Sequence, residues 1–113
     1  MEKLTVYNKA LEQIPKIYSL IRSSKNLGND FSLCDQIKRA SVSVATNIAE
    51  GYNRSPNQFR NYLHISSGST NEVVALLQII HAVHEIDTIK LQQEYRYLGK
   101  QIFLLSKRVS SDS

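Results

Sequence analysis

Apolar side chains recur along this chain at alternating steps of three and four residues. Such spacing places the side chains on one face of an α-helix. Two of the most regular stripes are Leu4, Tyr7, Leu11, Ile14, Tyr18 and Ile21, and Leu91, Tyr95, Leu98, Ile102, Leu105 and Val109. Because an apolar helix face is stable only when it is buried against another element, the pattern predicts several helices around a shared core. The low number of glycines, four, and of prolines, two, agrees with long, uninterrupted elements.

Turn and cap residues divide this pattern into four predicted helices. Asn29 or Asp30 is suited to cap the second helix, because either side chain can accept a hydrogen bond from a free backbone N–H. Ser55, Pro56 and Gln58 have the spacing of a capping box with proline in the first helical position, which predicts the start of the third. The predicted helices cover residues 3–24, 31–50, 56–85 and 88–109, each to within a few residues.

The second predicted helix has an unusual middle, because residues 40–46 are almost all small or β-branched. Alternating Ser and Val at 41–44 are typical of a strand, but helical stripes continue on both sides and favour a helix. Residues 66–70 of the third predicted helix are also small. Since small side chains let two helices approach closely, we expect these two stretches to pack together. Gly51 is predicted to cap the end of the second helix.

Helices of similar length joined by short loops are typical of an antiparallel up-down-up-down four-helix bundle. We therefore predict an all-α fold with a single bundle domain over residues 1–113. The spacing is also regular enough for an intermolecular coiled coil. The second predicted helix is apolar or small around more than half of its circumference. Such a helix is either central in the bundle or also buried against another subunit, and we favour a homo-oligomer.

The charge of the chain indicates its kind of partner, and its single cysteine suits a reducing compartment. The net charge is +4 and the sequence pI is about 9.3, a mild basic bias that favours anionic partners. Cys34 is the single cysteine, so no internal disulfide can form. No stretch approaches the roughly 20 apolar residues of a membrane span, and residues 1–8 lack the apolar core of a signal peptide. We expect a cytoplasmic protein that does not enter membranes.

Basic residues lie near the junction of the second and third predicted helices, with Tyr52 and Tyr62 among them. Arginine and lysine can bind phosphates and tyrosine can stack on bases. The arrangement therefore predicts an interface for RNA or single-stranded DNA. Its residues are Lys38, Arg39, Arg54 and Arg60.

A polar stripe runs along the second predicted helix. Arg39, Ser43, Asn47 and Glu50 follow one another at steps of four, four and three residues, and Glu72 lies in the third helix beyond its small residues. We interpret these residues as a buried or half-buried network in which Arg39 pairs with Glu50 or Glu72. The alternative is a polar ligand site.

The sequence has no signature of an enzyme. His81 and His84 share a helix face, but no third ligand follows at a suitable spacing, so we predict no metal site. Cys34 has no adjacent histidine to activate it, and the scattered glycines form no phosphate-binding loop. We predict a protein without cofactor and without catalytic residues.

The segment from Gln36 to Tyr52 resembles the 23S rRNA intervening-sequence proteins. In that family a Gln-Ile-x-Arg-Ala run is followed by Ser and then by Asn-Ile-Ala-Glu-Gly, and this chain has the two runs at 36–40 and 47–51. Ala45-Thr46 stands where Pro-Ser is more usual, and Ser66-Ser67 where Ala is common. The match continues through Arg54-Ser55, Phe59, Tyr62-Leu63, Gly68-Ser69 and Glu72.

The resemblance implies an antiparallel four-helix bundle that can assemble into a pentameric ring. The family is named after reading frames within insertions in large ribosomal RNA genes, so its name reports a genomic location. The accessory variability proteins of diversity-generating retroelements look like relatives. They form basic pentameric barrels that engage nucleic acid and a reverse transcriptase, which by analogy implies a nucleic-acid role.

These features predict a non-enzymatic, oligomeric bundle that binds RNA or single-stranded DNA. The alternative is a protein-interaction scaffold that recruits a partner protein and needs no nucleic acid.

Overall fold

The computed structural model describes residues 3–109 and folds them into five helices. These are α1 (Lys3–Arg22), α2 (Lys25–Gly28), α3 (Phe31–Gly51), α4 (Pro56–His84) and α5 (Ile89–Arg108). The four long helices begin and end within two residues of the predicted bounds, and the single-turn α2 adds to the prediction. No strand occurs within residues 3–109, and the alternating residues at 41–44 are helical. The all-α prediction is confirmed. The predicted domain bounds, 1–113, extend beyond the described residues at both ends.

The four long helices lie side by side. α3 packs against α4, α4 against α5, and α1 against both α3 and α5, in a molecule of 50 × 20 × 18 Å. Hydrogen bonds join α4 to the two caps of α5, since Arg60 donates to Val109 and Thr88 donates to Leu77. None of the helices over residues 3–109 has the length and apolar character needed to cross a membrane.

Side-chain caps mark where α3 and α4 begin. Asp30 Oδ1 accepts a hydrogen bond from the Leu33 N–H at 3.4 Å and starts α3. Ser55 Oγ accepts from the Gln58 N–H, and Gln58 Oε1 accepts from the Ser55 N–H, both at 3.3 Å. This is the predicted capping box, with Pro56 in the first turn of α4. Local sequence therefore determines where α3 and α4 begin.

The small residues of α3 and α4 face each other, as predicted. Ser66 is fully buried and its hydroxyl donates to the Val44 carbonyl oxygen at 2.6 Å. The hydroxyls of Ser43 and Ser69 lie 2.9 Å apart. Because these hydrogen bonds cross directly from one helix to the other, they require the close approach that small side chains allow.

Gly51 does not cap α3, which corrects the prediction. It lies in the last turn of the helix, and Tyr52 is the C-cap. A Cβ atom at Gly51 would lie 2.7 Å from the Cβ of Tyr62, so the glycine permits α4 to approach α3 at this point. Gly99 has the same role in α5, because a Cβ there would overlap the hydroxyl of Thr70.

The core takes side chains from all four long helices, but the predicted stripe of α1 is only partly buried. Leu4 and Leu11 are 58% and 41% exposed, whereas Val6, Ala10 and Ile17 are fully buried. The predicted stripe is thus offset by about a quarter turn from the face that α1 buries. The reason is that α1 is apolar on two neighbouring sides and, among the long helices, contacts only α3 and α5.

Candidate nucleic-acid interface

The four predicted basic residues fall into two groups instead of one cluster. Lys38 and Arg39 lie in the first half of α3, whereas Arg54 lies in the loop after α3 and Arg60 in the first turns of α4. Gly51 lies twelve residues after Arg39 along α3, which is about 18 Å at 1.5 Å per residue. The structure therefore does not bring all four side chains to one place.

Arg39 does not pair with Glu50 or Glu72, contrary to the prediction. Its Nε lies 3.0 Å from Asp35 Oδ2, one turn away on the same helix, and its side chain is 80% exposed. The physical reason is reach, because Glu50 lies about three turns further along α3. An ion pair this exposed contributes little to stability, so Arg39 remains available to an external anion.

The predicted polar network forms only at its centre. Asn47 Nδ2 donates to the carbonyl oxygen and to the hydroxyl of Ser43, both at 2.9 Å, and Ser43 contacts Ser69 of α4. Ser69 was not part of the prediction. Arg39, Glu50 and Glu72 lie outside this network and are exposed. The network therefore joins α3 to α4 through neutral groups.

Arg54 is held against the end of α3 and over an aromatic ring. Its guanidinium forms an ion pair with Glu50, and its Nε donates to the Glu50 carbonyl oxygen at 3.3 Å. The guanidinium carbon lies 5.8 Å from the ring centre of Tyr62. Arg54 thus carries a charge and lies next to a stacking surface, the combination that single-stranded nucleic acids bind.

A groove of about 350 Å³ lies between the start of α4 and the end of α5. The Arg60 guanidinium is fixed at one side by hydrogen bonds to Asn57 Oδ1 at 2.9 Å and to the Val109 carbonyl oxygen at 3.0 Å. Among residues 3–109, no carboxylate lines this groove. The lining residues are Arg60, His64, Phe103, Ser106, Lys107 and Val109.

Two rings and a lysine form the floor of the groove. The rings of His64 and Phe103 are 6.3 Å apart between centroids and within 26° of parallel. Lys107 Nζ lies 5.0 Å from the centre of the Phe103 ring. Phe103 is 44% exposed, so its ring is open to a planar ligand.

Sequence reasoning missed His64, Phe103 and Lys107 as parts of the interface. Arg60 and His64 are four residues apart, as are Phe103 and Lys107, so each pair shares one face of its helix. That spacing was the only available signal. Whether the two faces meet depends on the register between α4 and α5, which spacing within one helix does not determine.

The excess positive charge of the chain is concentrated at the end of the molecule that contains this groove. We call residues 50–64 and 100–109 the basic end. Of 14 Lys and Arg and 10 Asp and Glu in the sequence, these two segments contain five and one. The remaining residues contain nine of each, so the net charge of +4 arises from the basic end. Its charged residues are Arg54, Arg60, Lys100, Lys107 and Arg108, with Glu50 as the carboxylate.

His81 and His84, in the last turn of α4, have different surroundings. His84 Nε2 lies 2.9 Å from Asp30 Oδ2, and this contact joins the end of α4 to the start of α3. His81 is exposed on the last turns of α4. Within residues 3–109 no three His, Cys, Asp or Glu side chains are grouped so that they could hold a metal ion.

An all-helical protein with four long packed helices and one basic end is the class that the fold and the charge distribution define. The model of the 23S rRNA-intervening sequence protein family matches residues 2–110. The chain therefore belongs to that family, as the motif between Gln36 and Tyr52 indicated.

A solved structure shares the fold. It is a protein of unknown function of the S23 ribosomal protein family from Bacteroides thetaiotaomicron VPI-5482, with 24% sequence identity and a TM-score of 0.75. The match covers 96% of this chain and 97% of the other. No curated protein matches the chain.

Proposed function

We propose that this chain is the subunit of a ring-like homo-oligomer of antiparallel up-down-up-down four-helix bundles that binds RNA or single-stranded DNA without catalysing a reaction. The observation that carries the proposal is the concentration of the entire net charge at the basic end. A surface with one sign of charge attracts a polyanion and raises its rate of association. Five subunits, the number that the family resemblance implies, is the assembly to test.

The proposed interface starts from Arg54 and Arg60, the two predicted residues that lie in the basic end. Lys38 and Arg39 lie about 18 Å further along α3, so a strand that reaches them must run along the molecule. Longer oligonucleotides should therefore bind more tightly than short ones. Arg39 is the more accessible of this second pair, since Lys38 is half-buried.

Cations placed over aromatic rings support a single-stranded ligand. Lys107 lies over Phe103 and Arg54 over Tyr62, both at the basic end. Lys38 Nζ lies 5.2 Å from the centre of the Tyr18 ring. Each pair presents a charge for a phosphate beside a ring for an unpaired base. Paired bases are not available for such stacking, so we expect weaker binding of double-stranded DNA.

The test is fluorescence anisotropy with labelled oligonucleotides of mixed sequence, as RNA and as single-stranded DNA. For each phosphate contact, the logarithm of the binding constant falls by about 0.7 for a tenfold rise in salt concentration. With about four contacts, binding should therefore weaken about 50-fold between about 50 and 200 mM salt. In the triple variant Arg54→Gln, Lys107→Gln and Arg108→Gln, the slope of the logarithm of the binding constant against the logarithm of salt concentration should be smaller by about 2.

The matched control removes three charges from the opposite end. Arg22, Lys25 and Lys90 are exposed and lie outside the basic end, so changing all three to glutamine alters the net charge equally. Equal losses of affinity in the two triple variants would contradict an interface at the basic end. Absence of binding to any oligonucleotide at 50 mM salt would contradict nucleic-acid binding altogether.

An apolar stripe on the outer side of α4 supports self-association. Ile65 and Ile79 are 47% and 45% exposed, Ala75 lies between them, and Val83 continues the stripe. Gly68 belongs to the same side, and nothing lies within 4 Å of where its Cβ would be. Together with the exposed Glu72, which lies between Gly68 and Ala75 on the same side, these residues follow the three- and four-residue steps of a helix–helix seam. The described part of the chain offers this seam no partner helix.

Sedimentation velocity tests the assembly. We expect the wild-type chain to sediment as a species larger than the 12.9-kDa subunit, and the double variant Ile65→Glu and Ile79→Glu to sediment as a monomer. The control, Leu11→Glu with Ile89→Glu, changes two similarly exposed apolar residues on α1 and α5 and should leave the assembly intact. A wild-type chain that is monomeric at high concentration would contradict the proposed oligomer.

The same stripe favours the second candidate function, a protein-interaction scaffold. If the chain assembles but binds no oligonucleotide at low salt, the α4 stripe and not the basic end would be its functional surface.

A further inference from the structure

We propose that the groove between α4 and α5 binds one nucleotide of the strand, with the base against Phe103 and His64 and the phosphate against Lys107 and Arg60. This subsite rests on the proposed function. It is more specific than a general attraction to the basic end, because it requires a base as well as a phosphate.

The size of the groove fits a single nucleotide. Its volume of about 350 Å³ is near the lower limit of the roughly 300–1,000 Å³ of small-ligand sites. The groove lies at the end of α5, beside the first turns of α4.

The two rings are arranged to receive a flat base. Their 6.3 Å separation is near the upper end of the 4.5–7 Å over which aromatic pairs interact. His64 and Phe103 are therefore only loosely paired with each other, and a base can replace part of that contact at little cost. Both residues are exposed on regular helices, which fixes their backbones in position.

The two cations are placed for the adjoining phosphate. Among residues 3–109, Asn57 and Val109 use two of the five N–H donors of the Arg60 guanidinium, which leaves three for a ligand. Those two hydrogen bonds also orient the guanidinium before binding, and such preorganisation lowers the entropic cost of association. Lys107 lines the groove, and its Nζ lies 5.0 Å from the Phe103 ring centre.

An acidic peptide could also be attracted to these cations. The nearly parallel rings of His64 and Phe103 favour a nucleotide, because a base can stack on a ring and the carboxylates of an acidic peptide cannot. A polyglutamate peptide therefore serves as the competing probe in the experiment.

The experiment compares an oligothymidylate with an abasic strand of the same length and charge. Phe103→Leu removes the ring and keeps apolar bulk. We expect it to weaken oligothymidylate binding by about 5- to 100-fold, the loss for one stacked base, and to change binding of the abasic strand less than about twofold. Lys107→Gln should weaken both strands, because it removes a phosphate contact.

Tyr97→Leu is the matched control. Tyr97 is an exposed aromatic residue of the same helix and also lies beneath a lysine, with Lys9 Nζ 5.4 Å from its ring centre. It lies outside the groove, so its loss should leave both affinities unchanged. Circular dichroism of each variant checks that the helices are retained.

Phe103→Trp gives an independent readout. The chain contains no tryptophan, so the variant has a single reporter at the subsite. It should bind oligothymidylate like the wild type, and its emission should be quenched by that strand but not by the abasic strand.

Equal losses for Phe103→Leu and Tyr97→Leu, or no loss for either, would overturn the subsite and leave the proposed function standing. Phe103-dependent binding of polyglutamate without binding of oligothymidylate would also overturn it. A wild-type chain that binds no strand at low salt would remove both proposals.

Discussion

Asp30 Oδ2 lies 2.9 Å from His84 Nε2, so one carboxylate joins the start of α3 to the end of α4. Its other oxygen accepts the Leu33 N–H and caps α3. The hydrogen bond from His84 holds the pKa of the Asp30 carboxyl below its ordinary value of 3.8, while partial burial acts in the opposite direction and the Leu33 N–H lowers the pKa further. The contact lies at the end of the molecule away from the groove.

The first prediction concerns acid stability. Because folding lowers the pKa of Asp30, its ionised form stabilises the folded state above pH 3.8, and this contribution is lost as the pH falls through the folded-state pKa. Asp30→Asn keeps a good cap residue but removes the charge. We expect a lower thermal midpoint than the wild type at pH 7 and a difference that vanishes in strong acid, measured by circular dichroism.

Asp35→Asn is the control for this series. Asp35 pairs with Arg39 at an exposed site, where an ion pair contributes little. Its midpoint should follow that of the wild type throughout. A constant difference between Asp30→Asn and the wild type at every pH would argue against the His84 contact as the cause.

The second prediction concerns Cys34. Burial raises the pKa of its thiol, and the negative charge of Asp30 adds to the effect. The Sγ atom lies 3.0 Å from the Leu27 carbonyl oxygen of α2, to which the thiol donates. Since the thiolate is the reactive form, native Cys34 should react with a disulfide reagent at least about 100-fold more slowly than in the unfolded chain, because reaction requires local opening.

Absorbance during the reaction measures this rate, with urea-unfolded protein as the reference of one thiol per chain. Complete labelling of the folded protein within seconds would show that α2 does not cover Cys34 in solution.

The third prediction concerns Tyr95, which is fully buried. Within residues 3–109 its hydroxyl has no hydrogen-bond partner, and burial raises the pKa of the phenol well above its ordinary value. A buried hydroxyl without a partner costs about 1–2 kcal/mol. Tyr95→Phe should therefore raise the free energy of unfolding by about that amount in urea titrations. Tyr97→Phe, at an exposed site, should leave it unchanged, and a loss of stability in Tyr95→Phe would reveal a partner for the hydroxyl.

The sequence predicted those parts of the fold that depend on local or periodic signals. The Ser55–Gln58 capping box needs only four consecutive residues, and the contact of Val44 with Ser66 follows from two stretches of small residues. By contrast, the predicted partner of Arg39 was wrong. Arg39 pairs with Asp35, one turn away on the same helix, a local contact that needs no packing between helices, whereas Glu50 lies about three turns away and out of reach.

The candidate site was less predictable because it depends on how two helices pack against each other. Arg60 and Phe103 are 43 residues apart in the sequence, and they line one groove because of the register between α4 and α5. The basic end could be recognised only after the fold had brought the two charged segments together. The buried face of α1 was also ambiguous, because two neighbouring sides of this helix are apolar.

The fourth prediction compares two glycines in similar helices but opposite environments. At Gly51 a Cβ would lie 2.7 Å from the Tyr62 Cβ and 3.0 Å from Phe59 Cδ1. Gly51→Ala should therefore lower the free energy of unfolding by about 1–3 kcal/mol, the cost of an overpacked contact. At Gly68 nothing lies within 4 Å, so Gly68→Ala should raise it by about 0.5–1 kcal/mol through the gain in helix propensity.

The two variants also report on the proposed seam of α4. If a second subunit packs against Gly68, the added methyl group should weaken the assembly in sedimentation velocity even as it stabilises the isolated subunit against urea. Gly51→Ala should show the reverse, a less stable subunit with an unchanged seam. If the Gly68→Ala chain is more stable and assembles as well as the wild type, the subunit contact lies elsewhere. A closely packed helix at this position would have to move away from the new side chain.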